Sequence, residues 1–255
     1  MPRVATILIG APVLIAAILI GGDPLSVVVL LLAALGAREF GWLAARFHPS
    51  PVLMAGALLL PAIAAVQRWD MAAGATVVLV IASAAFALGP ARRTGAPGSA
   101  AVDTFGALYV GLLFAHLILL RSRVGAEATL TIVGVIWAND IGAYLVGVRW
   151  GRRRLAPSIS PGKSLEGLVG GLVVAVAIAL AVAAAQGWPL GPVGVIALCA
   201  ALAGVIGDLS KSTLKRAAGV KDSGSLLPGH GGILDRFDAV LFGVPIGYYL
   251  WGWLL

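Results

Sequence analysis

Charge is what this chain has least of: 18 Lys and Arg and 11 Asp and Glu in 255 residues, or 11%. A soluble domain of this length carries about a quarter charged residues. Too little polar surface is left to coat a water-soluble globule, so the bilayer must solvate most of the chain. Cysteine is nearly absent. The single Cys199 lies in an apolar run and reads as a small packing residue, and one cysteine excludes an intramolecular disulfide. The net charge of +7 has no soluble basic domain to sit on, because the cations lie between apolar runs. Nucleic acid is therefore set aside as a partner, in favour of anionic lipid heads and polyphosphates. No internal repeat is visible, and no stretch has the spacing of a Walker phosphate loop.

Apolar sequence is there in quantity. Hydrophobic residues make up 60% and the mean hydropathy is +1.01. A span needs about 20 such residues, and the expected fold is an all-α, polytopic membrane protein of about nine transmembrane helices. The first is Val4 to Gly22, read as a retained helix rather than a signal peptide. The next three run from Pro24 to about Phe47, Pro51 to Gln67 and Met71 to Ala91. Residues 92–103 form a polar loop rich in Gly, Pro and Ser, which divides spans one to four (1–95) from a catalytic region of spans five to nine (96–255). Thr104 to Leu120 and Ala128 to Val148 are the fifth and sixth. Gly167 to Gly207 is 41 residues without a charge, enough for two helices turning at Gln186-Gly187-Trp188-Pro189. Ala239 to Leu255 is the last.

Orientation follows from the cations. With nine spans, 15 Lys and Arg fall on one side, and only Arg68, Arg121 and Arg123 on the other. That bias puts the N-terminus and the reactive-looking loops in the cytoplasm.

Asp208 to Asp238 is the chemically dense stretch. It holds nine of the chain's charged residues, with Pro228, His230 and five glycines among them. If the eighth helix continues past Asp208, then Lys211, Ser212 and Lys215 share its face. Asp235 and Asp238 are three apart at the start of the ninth. Carboxylates from two helices can hold Mg²⁺, which takes one or two of them and leaves other positions to substrate phosphates. Lys215, Arg216 and Lys221 can screen a polyphosphate. His230 can hydrogen-bond one, and the neighbouring glycines let backbone amides approach an anion. The plainer alternative is a solvated helix end whose charges pair locally.

Two further places carry polar chemistry inside apolar surroundings. Asp140 lies nine residues before Arg149, about 13 Å into the sixth helix. A carboxylate at that depth needs a partner, a cation or water. Asn139 and Tyr144 add polar atoms beside it, although a structural pairing of Asp140 explains the position as well. In residues 151–167, Ser160-Pro161-Gly162 presents Lys163 just before a helix N-terminus, an anion-favouring arrangement. Arg152 to Arg154 read more simply as topology signals.

Ser212 to Asp238 reads S-x-L-K-R-x4-K-D-x-G-x2-L-P-x-H-G-G-I-x-D-R-F-D. This resembles the signature of phosphatidate cytidylyltransferases, the CDP-diacylglycerol synthases. Asn139-Asp140-x3-Tyr144 and Ser160-Pro161-x-Lys163-Ser164-x-Glu166-Gly167 are similar to family motifs too, and the likeness covers about residues 100–255. The resemblance implies transfer of CMP from CTP to phosphatidate, giving CDP-diacylglycerol and pyrophosphate at the cytoplasmic face of the inner membrane. It also implies Mg²⁺, with room for a second cation, and is compatible with a homodimer. Read with the residues above, it makes Asp208, Asp235, Asp140 and Asp238 the metal ligands, with Asp208, Asp235, Lys215 and Arg216 catalytic. Asn139, Asp140, Lys163, Ser164, Ser212, Lys221, Asp222, His230, Gly231, Gly232 and Arg236 contact substrate. Lys211 and Leu165 depart from the family, which commonly has an acidic residue and Trp there. The rival readings are a CTP-dependent polyprenol kinase and an ion-coupled transporter.

Overall fold

The computed structural model describes residues 2–45, 49–87, 96–220, 223, 224 and 231–255, with the backbone alone at 2–9, 86, 87, 96 and 97. The chain is mostly helical. Helices α1 (Pro2–Ile20), α2 (Gly22–Leu43), α3 (Pro51–Ala65), α4 (Ala72–Ala87) and α5 (Ala96–Ala107) lead through a π turn at Leu108–Leu112 into the long α6 (Leu113–Trp150). Two short strands follow, β1 (Arg154–Ala156) and β2 (Ser160–Ser164). Then come α7 (Leu165–Gln186), α8 (Leu190–Ala217) and α9 (Leu234–Leu254). Among the described residues four helical stretches are long and apolar enough to cross a membrane: Gly22–Leu43, Gly98–Trp150, Leu165–Gln186 and Leu190–Ala217.

The chain divides into two compact units, Met1–Ser122 with Ala218–Arg236, and Arg123–Ala217 with Phe237–Leu255. In the first, α2, α3, α5 and the π turn pack on one another. Gly111 in the π turn meets the α3 backbone. A methyl group there would stand 2.7 Å from the Ala57 Cα, so only glycine permits the approach. At its C-terminal end α1 leaves carbonyls that no helical N–H reaches, and Arg121 donates to those of Ile18 (2.6 Å) and Leu19 (3.2 Å).

Residues 96–103, part of the stretch 92–103 expected to be loop, are helical and form the first turns of α5. The reason is a buried polar contact. Asp103 is 1% exposed and accepts the backbone N–H of Ser50 at 2.7 Å and the Ser50 hydroxyl. Ser50 in turn caps α3 by accepting from Val52 N–H. The polar character of this stretch serves a neighbouring helix end.

The end of the fifth expected span and the whole of the sixth lie on α6. The helix is broken at Gly125, whose φ of +84° and ψ of −179° are not helical. The turn expected at Gln186-Gly187-Trp188-Pro189 is present. Gly187 is left-handed, and its N–H closes α7 on Ala183 O. Ala175, Ala179 and Ala183 of α7 repeat at four-residue spacing against Val193, Ala197 and Ala201 of α8, with Val135 of α6 completing a tight core. Small side chains let these helices close up, as membrane helices do without a hydrophobic force between them. The outer face of α7 leaves Val169, Val173 and Ile178 exposed. The two-stranded hairpin was not foreseen, since its sequence reads as a basic, glycine-containing loop.

Candidate active site

The hairpin places Lys163. Its strands pair antiparallel, Arg154 opposite Ser164 and Ala156 opposite Ser160. Ser164 is buried and caps α7, its hydroxyl accepting from Gly167 N–H at 3.1 Å. Glu166 in the first turn of α7 accepts the backbone N–H groups of Arg152 (3.0 Å) and Arg153 (3.1 Å). With strand and helix start tied together in this way, Lys163 reaches Asp208 of α8, Nζ to Oδ2 being 2.5 Å.

Asp208 is the hub of the second unit's polar cluster. One turn on, Lys211 Nζ lies 3.5 Å from Asp208 Oδ1 and forms an ion pair with Asp238 Oδ2 on α9. Asp238 Oδ1 accepts the N–H of Ala239 at 2.7 Å. Ser212 turns its hydroxyl toward Asp208, 3.4 Å away. Asp140 lies within electrostatic reach of Lys163, Asp208 and Lys211, and Asn139 hydrogen-bonds it. Asn139 is 1% exposed, and its Oδ1 is a buried acceptor without a hydrogen-bond partner among the described residues. An orphaned buried acceptor is costly, and such atoms often mark a place where a ligand or water completes the bonding. Arg216 points elsewhere, donating to Ile159 O near the hairpin tip at 3.4 Å. Lys215 is half-buried one turn beyond Lys211.

Asp235 belongs to the first unit, and there it organises a loop. Its Oδ2 accepts from Ser223 N–H (2.8 Å), Ser223 Oγ (2.8 Å) and Gly232 N–H (3.1 Å). Gly231 has φ +76°, a left-handed backbone that non-glycine residues rarely adopt. Arg236 is exposed. Lys221, Asp222 and His230, all expected contacts, fall outside the described residues.

Glu39 is not among the site residues expected from sequence. It is 3% exposed. It accepts the N–H groups of Ile233 (2.7 Å) and Leu234 (2.9 Å) at the start of α9, and the hydroxyl of Ser223 (3.2 Å). One carboxylate thus satisfies two donors that a helix N-terminus leaves open. The available signal was a carboxylate that follows an uncharged run from Pro24 to Ala37 and stands beside Arg38.

Among the described residues no three His, Cys, Asp or Glu gather into a metal cage. Mg²⁺ does not require one, because it keeps waters and substrate oxygens. Asp208 and Asp140 are hard oxygen donors in one electrostatic cluster and fit such an ion.

The sequence model described as the cytidylyltransferase family matches residues 1–254. This chain belongs to that family. Among curated proteins it is similar to the phosphatidate cytidylyltransferase of Bacillus subtilis, 42% identical over 151 residues that cover 58% of this chain and 56% of the relative. The phosphatidate cytidylyltransferase of Pseudomonas aeruginosa is 45% identical over 130 residues, 49% of this chain and 48% of its own. That of Staphylococcus saprophyticus is 41% identical over 140 residues, 54% of each. The chain spans about half the length of the curated relatives it matches.

Proposed function

We propose that this member of the cytidylyltransferase family transfers CMP from CTP to phosphatidate, making CDP-diacylglycerol and pyrophosphate. The observation that carries the reading is family membership over residues 1–254, with relatives named for this activity at about 42% identity. The Lys163–Asp208–Lys211 cluster supports it chemically, since cations and carboxylates held together suit a polyphosphate and its metal.

In the reaction a phosphate oxygen of phosphatidate attacks the α-phosphorus of CTP. A new P–O–P bond forms, the bond to the β-phosphate breaks, and pyrophosphate leaves. Both partners are anions, so the protein's task is to bring them together and stabilise the departing charge. Asp208 and Asp140 would hold Mg²⁺, with Asp235 the candidate ligand of the first unit. The ion supplies charge neutralisation on the triphosphate. Lys163, beside Asp208, would meet a phosphate oxygen, and Lys215 and Arg216 would add positive charge along α8 and near the hairpin tip. Ser212, Asn139, Gly231, Gly232 and Arg236 are proposed substrate contacts, Ser164 a support through its cap. Lys221, Asp222 and His230 are carried by the signature alone.

The finer membrane picture is also proposed: nine spans, the N-terminus and site cytoplasmic, the chain in the inner membrane. Its support is the 15 to 3 division of Lys and Arg.

The test is product formation by purified protein in detergent with CTP and Mg²⁺. Phosphatidate is expected to yield CDP-diacylglycerol and pyrophosphate. A phosphorylated polyprenol formed in its place, or no turnover with either lipid, overturns the reading.

A further inference from the structure

In the second unit Lys211 is 6% exposed and Asp238 7%, so their ion pair is out of solvent. The same ammonium faces Asp208 Oδ1 at 3.5 Å. It stands between two carboxylates, one on each of two helices, where a cation would otherwise have to sit. Asp238 Oδ2 pairs with Lys211 and Oδ1 accepts from Ala239 N–H, so this buried carboxylate already has its counter-charge within the protein. Two buried carboxylates facing each other repel strongly unless a positive charge lies between them.

We propose that the Lys211 ammonium is a covalently tethered cation. It permanently fills the position between Asp208 and Asp238, so that Asp238 is a partner of lysine and not a metal ligand. Divalent ions are then recruited on the other side of Asp208, toward Asp140 and Lys163. Charge bookkeeping agrees: Lys163 and Lys211 balance Asp208 and Asp238, and Asp140 leaves one net negative charge to attract a divalent ion. The inference deepens the proposed activity, and rests on it only for the idea that Asp208 binds a divalent ion at all.

The experiment counts Mn²⁺ ions, alone, bound to the full-length protein in detergent, by equilibrium dialysis with electron paramagnetic resonance of the free ion. Lys211→Ala removes the tethered charge and should bind one more Mn²⁺ per chain than wild type. The double variant Lys211→Ala with Asp238→Asn should lose that extra ion. Asp238→Asn alone should leave wild-type Mn²⁺ affinity within about twofold, whereas loss of a genuine ligand weakens binding at least about tenfold. Equal counts in wild type and Lys211→Ala, or a tenfold loss in Asp238→Asn, overturn the proposal. If one single variant does not fold, the other still decides. Asp208→Asn is the control for the underlying reading. Unchanged Mn²⁺ binding in that variant sinks Asp208 as a ligand, whichever way the Lys211 comparison falls.

Discussion

Glu39 on α2 accepts the backbone N–H of Leu234, 195 residues further along the chain, at 2.9 Å. With Ile233 N–H and Ser223 Oγ on the same carboxylate, it clamps the start of α9 and the loop before it. Glu39→Ala takes the acceptor from the buried Ile233 and Leu234 N–H groups, at about 1–3 kcal/mol for each, while Ser223 Oγ keeps Asp235. The expected result is a clear fall in thermal unfolding temperature and faster hydrogen exchange at Ile233 and Leu234. A wild-type exchange rate at both amides would mean that the clamp holds nothing.

Asp208→Asn removes the charge that Lys163 meets at 2.5 Å while keeping the side chain's shape. If that carboxylate organises metal and phosphates, turnover should drop by about 10²–10³, the scale of losing one strong electrostatic stabiliser. CDP-diacylglycerol formation measures this. A variant within about threefold of wild type removes Asp208 from the chemistry.

Asp235 holds Ser223 and Gly232 and is also the proposed metal ligand of the first unit, and two variants separate the observed role from the proposed one. Its Oδ2 gathers Ser223 and Gly232. Asparagine retains an oxygen that can accept those bonds but lacks the charge a metal needs. Asp235→Asn is therefore expected to fold with near wild-type thermal stability and to lose activity. Asp235→Ala should lose both, being less stable than the asparagine variant by about 1–3 kcal/mol through its orphaned donors. Equal melting temperatures for the two would show that the loop does not depend on this side chain.

These three residues also show how far the sequence could be read. Length and hydropathy located α1 to α4, α7 and α8 closely but not the boundary within α5 and α6, and Gly187 with Pro189 located the α7–α8 turn, because covalent geometry allows little else there. Asp140 and Asp208 stood out because charge inside an apolar run needs a reason. The same rule applied to Glu39, yet its partners lie nearly two hundred residues away and are backbone amides, which any residue type supplies. Asp103 was hidden for the opposite reason. It lies among Gly, Ser and Ala, where a carboxylate is unremarkable, and only the approach of Ser50 buries it. Lys211 was legible as a departure from the family pattern, but its place between Asp208 and Asp238 required three dimensions.

Orientation in the bilayer rests on cation counting and can be measured directly. Helix α7 has 22 residues, about 33 Å at 1.5 Å each, enough to separate the hairpin before it from the turn after it by a full hydrocarbon core. Cys199 is the chain's only cysteine, so a Cys199→Ser background allows single reporters. Ser158 at the hairpin and Gln186 at the end of α7 are both exposed. In that background Gln186→Cys should react with a membrane-impermeant maleimide in intact cells. Ser158→Cys should react only after the membrane is opened, because the hairpin shares the side that holds 15 of the 18 cations. The reverse pattern would put Lys163 outside the cell, away from cytoplasmic CTP, and the proposed activity would lose its substrate.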